Sequence, residues 1–146
     1  MAVSYEFAVD TDLDFEAAEG RIRELLQGEG FGVLTEIDMQ ATLRAKLGTK
    51  LRPYKILGAC NPQLAHRALE VQPGIGVLLP CNVVIEEGDA KRVRARFMEP
   101  RSALSVVTNP AIAPIAEEAS ERLRRLAERL GRRRLRPGTS ARTSQE

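Results

Sequence analysis

The stretch VLLPCNVVIEEGDAKRVRARFM, residues 77–98, decides how the rest of the chain is read. Val77–Glu86 is apolar enough for a central strand, and Glu87-Gly88-Asp89-Ala90 leaves only a tight connection before Arg92–Met98. In the second run Val93, Ala95 and Phe97 alternate with Arg94, Arg96 and Met98, the period-two pattern of a strand with one dry and one wet face. Strands joined this closely cannot be parallel, because a parallel pair needs a crossover of about a dozen residues or more.

Toward the N-terminus, Tyr54–Cys60 reads as a strand that runs straight into Asn61-Pro62. There an Asn N-cap and a Pro at the first helical position open a helix whose apolar positions are Leu64, Ala65, Ala68 and Leu69. Phe31–Ile37 is another strand; Asp38 then caps a short helix with Met39, Leu43 and Leu47 on one face, which Gly48 stops. Ala2–Val9 alternates with Val3, Tyr5, Phe7 and Val9 on one side. Thr11, Asp12 and Asp14 offer caps for a helix carrying Phe15, Ala18, Ile22, Leu25 and Leu26, which ends near Gly28 or Gly30.

Toward the C-terminus, a long helix from about Asn109-Pro110 carries Ile112, Ile115, Ala119, Leu123, Leu126 and Leu130 on one stripe. The order β-α-β-α-β-α-β-β-α predicts an α+β fold, a mostly antiparallel sheet of about five strands with its helices gathered on one face. Residues 1–130 are expected to form a single domain. Residues 131–146 lack any apolar pattern and are expected to be a disordered basic tail.

The chain has 146 residues and a net charge of +2, but Arg132, Arg133, Arg134, Arg136 and Arg142 all lie in the tail against Glu146 alone. Without that segment 17 basic and 19 acidic residues remain, so the domain itself is mildly acidic. Aromatic residues make up 4% with no Trp, which argues against stacking platforms for nucleic acid, and nucleic acid is not an expected partner. The most apolar run, Ile75–Ile85, is interrupted by Gly76, Pro80 and Asn82 and is too short to span a bilayer, so no membrane association is expected. No leader peptide is visible, and Cys60 and Cys81 are expected to be free thiols in a reducing cytoplasm.

The segments Ile37-Asp38, Lys46-Leu47-Gly48, Arg52-Pro53-Tyr54-Lys55-Ile56-Leu57-Gly58-Ala59-Cys60-Asn61-Pro62 and Leu79-Pro80-Cys81-Asn82-Val83 resemble the domain of unknown function 302 family of small prokaryotic proteins. The resemblance covers about 1–130 and leaves the Arg-rich tail outside. It implies a curved antiparallel sheet backed by helices, similar to the TATA-binding-protein-like arrangement, and a homodimer. It implies no catalytic residues, and fold similarity of this kind does not imply DNA binding.

Cys60, Cys81, His66 and Asp38 are the residues able to carry chemistry. Cys60 falls at the junction of a strand and a helix N-terminus, where the helix dipole favours a thiolate. Cys81 lies in a matching Cys-Asn pair, and neighbouring strands would bring the two sulfurs to one soft metal ion. His66, on the helix that follows Cys60, is the third metal-ligand candidate. Asp38, Asn61 and Asn82 are candidate ligand contacts, each with a plainer reading as a cap or turn residue. The plainer reading of the cysteines is that they pack as small hydrophobes.

Spacing of C-x20-C lacks the close pairs of structural zinc sites, and no phosphate-binding glycine loop is present. Lys46, Lys50, Arg52 and Lys55 surround one loop that could take an anion or simply be solvated. Three roles follow as expectations. The first is a binding domain for a small ligand or soft metal ion at Cys60 and Cys81. The second is a thiol-based enzyme or carrier that handles sulfur. The third is a structural or regulatory dimerisation domain.

Overall fold

The computed structural model describes residues 4–131. Both the expected tail and Ala2 and Val3 of the expected first strand fall outside these residues, apart from Gly131. The strands are β1 (Glu6–Thr11), β2 (Gly32–Asp38), β3 (Tyr54–Cys60), β4 (Cys81–Glu87) and β5 (Val93–Met98). The helices are α1 (Phe15–Gly28), α2 (Met39–Leu47), α3 (Pro62–Val71), α4 (Pro100–Ala103) and α5 (Ile112–Gly131). The sheet runs β1-β5-β4-β3-β2 with every neighbouring pair antiparallel, so the expected α+β class holds.

Side-chain alternation gives the sheet two unlike faces. Leu57, Ala59, Cys81, Val83, Ile85, Val93, Ala95 and Phe97 point to one face, where α1 and α5 cover them with Ile22, Leu26, Leu123 and Leu126. A second apolar cluster lies between α3 and α5: Leu64 and Ala68 meet Ile75, Ile112, Ile115 and Ala119. The residues between, such as Arg94, Arg96, Asn82 and Val84, take the opposite face, and none of these four is buried.

Capping fixed most helix starts. The Asp14 carboxylate accepts from Ala17 N at 2.8 Å, and the Asp38 carboxylate accepts from Ala41 N at 2.9 Å. Gly48 closes α2 at φ 68°. At α5, Asn109 Oδ1 accepts from the Ala111 N–H at 2.9 Å, and the helix begins at Ile112 rather than at Pro110.

Two expectations need correction. The strand expected to begin at Val77 begins at Cys81, because Pro73–Leu78 coils into a 3-10 turn that buries Ile75 in the second cluster. Pro80, which follows a cis bond after Leu79, has no N–H to give to a ladder. The first strand lies further along than Ala2–Val9, since its ladder with β5 pairs Glu6 with Met98 and Thr11 with Val93. Tyr5 therefore precedes the strand and is 76% exposed. Among the described residues, no helix is long and apolar enough to cross a membrane.

Candidate functional site

Both cysteines border one cavity at the seam between the two apolar clusters. In the β3–β4 ladder Ala59 stands directly opposite Cys81, and both point toward the helix-covered face. Cys60 is the next residue along and ends β3. Asn61 then caps α3, its Oδ1 accepting from the Leu64 N–H at 3.1 Å, with Pro62 in the first turn. Gly30, at φ 84°, turns the chain from α1 into β2 and lies against the Asn61 amide.

Together these elements enclose a cavity of about 40 Å³, bordered by Cys60, Asn61 and Cys81 and walled by Phe31, Leu64 and Ile75 among others. The wall is made largely of alanines and aliphatic side chains, with the two thiols and Asn61 as its polar groups. Cys81 is 7% exposed and Cys60 half-buried, and neither is in a disulfide.

Burial sets the electrostatics of the two thiols. Burial pushes the Cys60 thiol up from its ordinary value. Burial, and secondarily the charge on a Cys60 thiolate, push Cys81 up to about 12. At neutral pH burial therefore favours the thiol form of both sulfurs.

The other candidate residues divide. Asn61 joins the cysteines. His66 does not: its side chain is 72% exposed on α3 and lies 3.7 Å from Glu70, one turn along the same helix. Its place in sequence, close after Cys60, put it on the helix but on the wrong side. Among the described residues no group of three or more His, Cys, Asp or Glu is placed to hold a metal ion. Asp38 spends its carboxylate on the α2 cap. Asn82, next to Cys81, alternates to the opposite face of the sheet and borders a different concavity.

The basic loop is partly committed, with Arg52 2.8 Å from Asp89 and Lys55 2.9 Å from both Glu19 and Glu36. Sequence reasoning missed Phe31, Ile75, Leu104 and Ile115, which reach the cavity from four separate segments. No local pattern marks them as a set, because only the meeting of the two clusters makes them neighbours.

No curated protein matches the chain. Among solved structures, the crystal structure of an uncharacterized conserved protein DUF302 from Bacillus stearothermophilus superposes with a TM-score of 0.81 at 29% identity, covering 88% of this chain and 99% of that one. The family described as Domain of unknown function DUF302 matches residues 7–130, which hold the whole sheet but the first residue of β1, the seam cavity, and α5 up to its last residue. The chain belongs to the DUF302 family.

Proposed function

We propose that the domain is a binding module that takes a small, soft ligand at the seam cavity, with Cys60 and Cys81 as its sulfur contacts. The observation that carries this reading is the convergence of both cysteines of the chain on one small apolar cavity. A cavity of about 40 Å³ has room for roughly one to three heavy atoms, so an extended metabolite does not fit. An apolar wall offers nothing to replace the water shell of a hard cation, whereas a soft monovalent metal ion bonds directly to sulfur. Two sulfurs with no third His, Cys, Asp or Glu beside them among the described residues suit an ion of low coordination number better than zinc, which takes four ligands.

The raised thiols weigh against a thiol enzyme, whose nucleophile must lose its proton unaided, whereas a metal ion displaces the proton as it bonds to sulfur. Free thiols also suit a reducing compartment such as the cytoplasm. A second copy of the chain is the partner carried with the reading: Leu34, Ile37, Leu47 and Leu51, exposed around β2 and α2, supply apolar surface for it.

Anaerobic titration of the reduced chain with silver(I) tests the proposal. Saturation at one ion per chain is expected, and Cys81→Ala and Cys60→Ser should each abolish it. Absence of saturable binding, or binding unchanged in both variants, overturns the reading.

A further inference from the structure

The sheet face turned away from α1 and α5 carries a second concavity of about 340 Å³, bordered by Tyr5, Glu6, Tyr54, Asn82, Val84, Arg96 and Met98. Its volume lies within the usual range of about 300–1,000 Å³ for small-molecule sites. Both tyrosines of the chain border it, although they are 49 residues apart in the sequence, one just before β1 and the other opening β3. Val84 stands between Ile56 and Arg96 in the ladders and gives the concavity an apolar centre.

The charged groups here are already satisfied by one another. Arg96 donates to Glu6 at 2.9 Å and to Glu86 at 3.0 Å, so its guanidinium is held between two carboxylates. An incoming phosphate or carboxylate would meet those two anions without a free cation. The neutral groups are in the opposite condition. Among the described residues, neither tyrosine hydroxyl nor the Asn82 amide makes a hydrogen bond to another protein group. Asn82 presents one donor and one acceptor side by side, the arrangement that pairs bidentately with a ring edge such as that of adenine. Tyrosine rings supply flat apolar faces for a planar ligand.

The geometry points to a binding site for an uncharged planar heterocycle, in the concavity that Tyr5 and Tyr54 border and read by the Asn82 amide. The ligand class is that of a purine-type base or nucleoside without phosphate. Because Cys81 and Asn82 are consecutive and point to opposite faces, this site lies back to back with the thiol cavity and is chemically independent of it.

The tyrosines make the test selective. In full-length chain carrying ring-labelled tyrosine, both tyrosine signals in a magnetic-resonance spectrum come from this concavity. Adenosine is expected to shift both in a saturable manner. Asn82→Ala, at an exposed position, should weaken that binding by about tenfold or more, as expected for loss of a bidentate amide contact. Adenosine monophosphate should bind more weakly than adenosine, and Cys81→Ala should bind adenosine as the parent does. Signals that do not respond to adenosine, an Asn82→Ala variant that binds it equally well, or tighter binding of the phosphate or of a single-stranded oligonucleotide each overturn the assignment. Loss of silver(I) binding in Cys81→Ala with adenosine binding intact keeps the two sites separable.

Discussion

Gly58 stands opposite Asn82 in the β3–β4 ladder, and the space its side chain would enter is held by Thr35 and Pro80. A Cβ at Gly58 collides with Thr35 Oγ1 and comes within 2.8 Å of Pro80 Cγ. Neither neighbour yields easily, since Thr is branched at Cβ and the Pro ring is closed. Gly58→Ala is therefore expected to destabilise the domain by about 1–3 kcal/mol in urea unfolding. Gly20→Ala is the contrast: Gly20 is in α1 with nothing within 4 Å of the added methyl, and the change should stabilise by about 0.5–1 kcal/mol.

The β4–β5 hairpin turns through Ala90 at φ 56° and Lys91 at φ 58°, with Arg92 N donating to Asp89 O at 3.0 Å. A two-residue turn with both central residues in the left-handed region suits Asn-Gly, not Ala-Lys. The double change Ala90→Asn with Lys91→Gly should stabilise by about 1–2 kcal/mol, read as a rise in the urea midpoint at unchanged slope. A fall in midpoint would show that another contact at the tip outweighs backbone strain.

The Cys81 thiol gives a pH dependence with a definite sign. Its value rises from 9.0 in the absence of burial to about 12 in the folded domain. The folded state therefore keeps a proton that the unfolded chain releases, and its stabilising effect is complete below pH 9.0 and lost as pH climbs toward about 12. The parent should lose stability across that window faster than Cys81→Ala, compared by denaturant titration at several alkaline pH values. Because each metal–sulfur bond displaces a proton, silver(I) binding should also tighten as pH rises from neutral.

Ala68, on α3, borders the seam cavity and is buried. Ala68→Val adds carbon to that space, which should raise stability by about 0.5–2 kcal/mol in the absence of ligand while abolishing silver(I) binding. Retained silver(I) binding would place the ion elsewhere.

Legibility in the sequence followed the range over which each signal acts. Asp14, Asp38 and Asn61-Pro62 mark helix starts because a cap is a bond between residues two or three apart, and β3 matched its expected range because Asn61 ends it. Val77–Leu79 misled because a short apolar run reads alike whether it enters a sheet or a turn that packs on another helix. Four-residue α4 is too short to show a period. Of the site, Cys60, Asn61 and Cys81 were legible as chemistry-bearing residues beside a strand end. The side of α3 on which His66 falls, and the face to which Asn82 turns, depend on what α3 and β4 pack against, which no neighbouring residue encodes.

Among the described residues, strands β2 to β5 follow one another across the sheet, while β1 pairs only with β5, some ninety positions later in the chain (Glu6 with Met98). During synthesis, then, β1 has no ladder partner among the described strands until β5 has been made. Phe7 and Val9 must wait in water or under a chaperone through most of translation, and the sheet gains its fifth member by a single late closure.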